Sequence, residues 1–164
     1  MIGILIVAHA PLASALRECA LHVFPECAAG VQALDIAPNA SPEESLKLAK
    51  AAMAKLNTTE VLLLSDVFGA TPSNVAQKLN DGIDTRLLAG VNLPMLLRSV
   101  CYRHESLDAL ATRAQAGGAQ GIMPVGCTAP QNQSGPRHAP SHNDHQQAAR
   151  TPRSSVCKAD QIGG

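Results

Sequence analysis

Tryptophan is absent from this 164-residue chain, and tyrosine and phenylalanine are scarce at one and two residues. A core without large rings must be filled by aliphatic side chains and alanine. Net charge is missing too, since 13 lysines and arginines balance 13 acidic residues. A balanced surface gives no pull toward nucleic acid or an anionic membrane, so neither is expected as a partner. No apolar run approaches the roughly 20 residues of a membrane span, and direct membrane insertion is not expected. The apolar N-terminal stretch lacks a basic leader and enters a helical pattern directly, unlike a signal peptide. Cys19, Cys27, Cys101, Cys127 and Cys157 form no CxxC pair and no metal-ligand spacing, and read as reduced thiols of a cytoplasmic protein. Neither GxGxxG nor GxxxxGKS/T follows any strand, which argues against a nucleotide-binding domain. There is no internal repeat. The length suits one domain with a proper core and hardly two.

What is present begins with Ile2-Gly3-Ile4-Leu5-Ile6-Val7-Ala8-His9-Ala10. A continuous apolar run rich in β-branched residues reads as a strand buried on both faces. Pro11 then opens a helical pattern carried by Leu12, Ala15, Leu16, Cys19 and Ala20 to about His22. Val31 to Ala37 reads as a second strand. Ser41-Pro42-Glu43-Glu44 is a capping box opening a helix to about Leu56. Glu60 to Ser65 is a third strand, Thr71 to about Leu79 a helix, and Arg86 to Ala89 a fourth strand. Helices follow from Leu93 to about Tyr102 and from Glu105 to about Ala116. Gly117-Gly118 is expected to break the latter, leaving Ala119 to Val125 as a last short strand. Such alternation predicts right-handed βαβ units, a parallel sheet and helices on both faces, a three-layer α/β/α fold.

From Gly126 onward Gln, Asn, Ser, Pro and His dominate and apolar periodicity ends. Residues 1–125 are therefore expected to form the domain, and residues 126–164 a disordered, linker-like tail. His138, His142 and His145 are too loosely spaced to specify a metal site.

Three segments carry candidate chemistry. His9 falls where a buried parallel strand gives way to a helix, the edge at which open α/β sheets bind ligands. A lone histidine there can equally serve only to satisfy a loop. Asp66 ends the third strand as His9 ends the first, followed by Gly69-Ala70 and by Thr71 at the cap of the next helix. If the two strands are neighbours, Asp66 reaches one ring nitrogen of His9, fixes its tautomer and leaves the other nitrogen nucleophilic. Helix N-termini at Pro11 and at Thr71-Pro72 would favour an anion beside it. The implied chemistry is phosphoryl transfer onto histidine, although Asp66 capping a turn would leave the same pattern. The third segment, Ala89-Gly90-Val91-Asn92-Leu93-Pro94-Met95, reads as a pocket wall or as an ordinary strand-to-helix turn. A receiver-like domain would need carboxylates after the first strand to hold Mg²⁺, where Ala8-His9-Ala10 stands instead.

Together, Ala8-His9-Ala10, Ser65-Asp66-Val67-Phe68-Gly69-Ala70-Thr71-Pro72-Ser73-Asn74 and the third segment resemble the IIA domain of the mannose family of the bacterial phosphoenolpyruvate-dependent sugar phosphotransferase system. The resemblance covers about Met1 to Val125. It implies that His9 accepts a phosphoryl group from the carrier HPr and passes it to a IIB component. Asp66 would orient the ring and Thr71 would hydrogen-bond the phosphoryl oxygens. Ala10, Phe68, Gly69, Ala70, Pro72, Asn74, Asn92 and Pro94 would line the pocket and meet partners. The resemblance further implies strand order 2-1-3-4, a homodimer exchanging a final antiparallel strand (here Ala119 to Val125), and neither cofactor nor metal. Ala10 departs from the glycine frequent after the histidine, and no IIB domain follows the tail. The alternatives are a regulatory module of an incomplete phosphotransferase system, or a non-catalytic α/β ligand-binding domain.

Overall fold

The computed structural model describes residues 1–126. Residues 127–164, all but the first residue of the expected disordered tail, lie outside the described residues, and with them Cys127, Cys157, His138, His142 and His145. Four parallel strands, β1 (Gly3–His9), β2 (Val31–Ile36), β3 (Val61–Ser65) and β4 (Thr85–Ala89), form a sheet in the order β2-β1-β3-β4. The helices are α1 (Leu12–Val23), α2 (Pro42–Ala54), α3 (Thr71–Gln77), α4 (Leu93–Cys101) and α5 (Leu107–Gln120). A short 3-10 segment at Pro25–Gly30, unforeseen in the sequence, joins α1 to β2. Among the described residues no helix is long and apolar enough to cross a membrane.

Strand periodicity explains the three layers. On β1, Ile4, Ile6 and Ala8 join Leu62 and Leu64 of β3 in one core, packed against Ala13 and Ala20 of α1, Leu96 and Val100 of α4, and Leu110 and Ala114 of α5. The alternate residues Leu5 and Val7 join Val61 and Leu63 in a second core with Ala52 of α2 and Ala76 of α3. A two-residue period thus sends successive side chains to opposite faces. Each fully buried Leu or Ile adds about 1.5–3 kcal/mol of transfer free energy, so β1 and β3 carry much of the hydrophobic stability.

The helix starts are individually specified. Ser41 accepts a hydrogen bond from Glu44 N–H at 3.1 Å and Pro42 occupies the first turn of α2, the serine half of the expected capping box. Thr71, expected to cap α3, is instead its first helical residue, and Ala70 stands at the cap without any side-chain bond.

The largest departure lies in α5. Gly117-Gly118 does not break this helix, which continues to Gln120, so Ala119 and Gln120 are helical rather than the start of a strand. The reason is steric. A Cβ at position 117 would lie 2.9 Å from Arg98 Cβ, and one at 118 would lie 2.8 Å from Met95 Cε. The glycines let α5 close on α4, a tertiary demand that outweighs the roughly 1 kcal/mol local cost of glycine in a helix. Residues 122–126 form no strand within the single chain, and Ile122, Met123 and Val125 are exposed.

Candidate functional site

Parallel pairing of β1 with β3 sets Val7 beside Ser65 and brings both strand ends to the same edge. There His9 Nδ1 lies 2.7 Å from Asp66 Oδ2, and His9 backbone N–H donates to the same oxygen at 2.9 Å. Asp66 Oδ1 accepts from Val67 N–H at 2.8 Å, with the Ser65 hydroxyl at 3.5 Å. Burial pushes the Asp66 carboxyl up, but the His9 amide, the His9 ring and the Val67 amide together outweigh it and hold the carboxyl below its usual value. An ionised carboxylate can only accept, so Nδ1 carries the proton in the neutral ring and Nε2 keeps its lone pair. The His9 side chain is 49% exposed against 8% for Asp66, so the aligning group is covered while the ring stays reachable. Nε2 makes no hydrogen bond among the described residues.

The neighbouring loops have distinct parts. Ala10 N–H donates to Ile36 C=O at 3.0 Å, tying the chain after His9 to the end of β2. Val67 and Phe68 are exposed at 57% and 76%, an apolar rim directly after Asp66. Gly69 C=O accepts from Asn74 Nδ2 at 3.3 Å, which fastens the loop to α3. Thr71 is exposed at the helix start, whereas Pro72 is buried and serves packing. Gly90, at φ +89°, adopts a backbone that disfavours other residues, and its N–H donates to Asp66 C=O at 2.8 Å.

Asn92 and Pro94 do not line a wall beside His9. Asn92 Oδ1 caps α4 by accepting from Met95 N–H at 2.9 Å, and Nδ2 donates to Gly118 C=O at 3.1 Å. Pro94 packs under Gly121 and borders a cavity of about 540 Å³ shared by α4 and α5. The loop backbone reaches Asp66, while these two side chains face α5.

One neighbour of the site escaped the sequence reading. The Asp35 carboxylate accepts from Ser14 N–H at 3.2 Å and from the Ser14 hydroxyl, so it fills the first turn of α1. The available signal was the one charged residue inside a short parallel strand.

The family model for the PTS system fructose IIA component matches residues 3–115. The chain belongs to this family. The IIA-family chain also resembles solved structures. A phosphotransferase system EIIA component from Streptococcus agalactiae superposes with a TM-score of 0.66 at 26% identity, covering 76% of this chain and 97% of the other. A mannose/sorbose-specific IIA subunit from Enterococcus faecalis gives 0.68 at 21% identity, over 78% and 97%. A PTS IIA protein associated with the fucose utilization operon of Streptococcus pneumoniae gives 0.63 at 23%, over 74% and 91%. At such identities the latter two attest the fold alone. No curated protein matches the chain.

Proposed function

We propose that this IIA-family chain is a phosphocarrier in which His9 Nε2 takes a phosphoryl group from the phosphohistidine of HPr and passes it to a IIB component. The observation that carries the reading is the Asp66 carboxylate seated 2.7 Å from Nδ1 of a half-exposed ring. As the Nε2–P bond forms, the N–P bond of the donor histidine breaks and the donor imidazole leaves. Positive charge develops on the His9 ring, and the fixed carboxylate stabilises it. The Thr71 hydroxyl and the N–H groups at the start of α3 serve the phosphoryl oxygens. Val67, Phe68, Gly69, Ala70 and Asn74 meet the two partners. The reaction requires neither metal nor cofactor.

The same reading assigns the carrier domain to residues 1–125 and a linker-like segment to residues 126–164, in a cytoplasmic homodimer. Exposed Ile122, Met123 and Val125 support exchange of the segment after Gly121 between subunits, because an apolar edge of this kind gains from a partner.

Incubation with phosphoenolpyruvate, enzyme I and HPr, followed by intact mass, tests the proposal. One phosphoryl group is expected on the wild type and none on a folded His9→Ala variant. A phosphorylated His9→Ala protein would overturn the assignment.

A further inference from the structure

Asn92 binds in two directions from a single side chain. Its Oδ1 accepts from Met95 N–H at 2.9 Å and its Nδ2 donates to Gly118 C=O at 3.1 Å. Capping α4 requires only the first bond, and serine would supply that equally well. The second requires a donor long enough to reach α5. Just upstream, Gly90 N–H and Val91 N–H hold the carbonyls of Asp66 and Ser65 at 2.8 and 2.9 Å. The peptide that carries the Asp66 carboxylate therefore hangs from two loop amides, and the loop is anchored by Asn92. Gly90 holds the left-handed φ of +89° that the loop needs, with no atom within 4 Å of the place a Cβ would take. On the other side α5 lies close against the segment, since a Cβ on Gly118 would come within 3.5 Å of Asn92 Oδ1 and 2.8 Å of Met95 Cε. The Asn92–Gly118 bond ties the loop to that helix.

We infer that Asn92 is a positioning residue for the His9–Asp66 pair, acting through the Gly90–Val91 loop that suspends Asp66. The kinetic part of this inference rests on the phosphocarrier reading above, whereas its spectroscopic part does not. Asn92→Ser keeps a capping oxygen but is too short to reach Gly118. Asn92→Asp also keeps an acceptor for Met95 N–H and loses the donor. Both are compared with the wild type by the ¹H and ¹⁵N signals of the His9 imidazole, by α5 amide exchange, and by rapid-quench transfer from phospho-HPr. In both variants the Nδ1 proton signal should broaden or move upfield as the contact with Asp66 loosens. The transfer rate constant should fall roughly tenfold, with KM for phospho-HPr unchanged, because misplacement of the reacting group affects the chemical step. If Asn92→Asp fails to fold, Asn92→Ser alone decides. A wild-type imidazole spectrum and rate in a variant whose α5 amides exchange faster would show that the bond is a fold contact only, and would overturn the inference. If the wild type accepts no phosphoryl group, the phosphocarrier reading falls and the imidazole spectrum decides the role of Asn92.

Discussion

The starts of α1 and α3 border the same edge of the sheet, yet they are treated in opposite ways. At α1 the Asp35 carboxylate takes the N–H and hydroxyl of Ser14, so the positive end of the helix already holds a negative group. At α3 the cap residue is Ala70, which offers no oxygen, and Pro72 is followed by Ser73 with no carboxylate in the first turn. One helix end is thus filled by a carboxylate of the protein, and the other carries no side-chain cap. The sequence marks both starts with a proline, at Pro11 and Pro72, and so makes them look alike. What separates them is Asp35, which arrives from another strand. Equivalent local signals thus acquire different electrostatic roles from tertiary context.

The sharpest way to break this contrast is through Asp66, the carboxylate beside the His9 ring. Asp66→Asn keeps the size and one acceptor but removes the charge. Phosphoryl transfer should slow by on the order of 10², while His9 remains the labelled residue. A rate within threefold of wild type would reduce Asp66 to a turn residue. The same substitution has a pH signature. Because the folded-state pKa of Asp66 is lowered, its contribution to stability is complete above the ordinary value of 3.8 and is lost as pH falls below that. The difference in thermal midpoint between wild type and Asp66→Asn should therefore be present at pH 7 and close in strongly acidic solution.

A smaller effect is expected at the open helix end. Thr71→Val removes one hydroxyl donor among several groups around the phosphoryl oxygens, and a single such bond contributes about 1 kcal/mol. Transfer should fall by roughly fivefold with the fold unaffected, as rapid-quench kinetics and circular dichroism would reveal. The smallest kinetic effect belongs to the filled helix end. Asp35→Ala should cost about 1 kcal/mol of stability through the lost capping bonds, measurable by urea denaturation, with transfer close to wild type. A longer-lived phosphohistidine in that variant would mean that α1 also holds the phosphoryl group, and the contrast between the two helices would vanish.

The features legible in the sequence were those set by neighbours along the chain. The apolar runs of β1 and β3, the Ser41 cap and the helix-opening prolines all act within a few residues. The strand order came from the resemblance, and β1 does lie between β2 and β3. The pairing of His9 with Asp66 follows from that order, since each ends an inner strand. What escaped were contacts whose cause lies far away. Gly117-Gly118 reads as a break until α4 is placed against it, where absent Cβ atoms become the condition for packing. Asp35 shows no purpose until Ser14 is brought above it. Asn92 and Pro94 sit in a motif beside the site, but their side chains turn toward α5 because Gly118 and Gly121 leave room there.

The alternation along β1 has a dynamic consequence. Its side chains belong to both cores in turn, and its backbone is paired on both edges, to β2 and to β3. Fraying of α5 or loss of the edge strand β4 would leave β1 paired and covered, so its amides reach solvent only when the whole sheet comes apart. Asp66 follows β3, the other strand with a neighbour on each side. The imidazole and its carboxylate are therefore mounted on the slowest-breathing part of the molecule. The exposed Val67-Phe68 rim touches the pair through a single amide, Val67 N–H on Asp66 Oδ1, while strand pairing holds the rest.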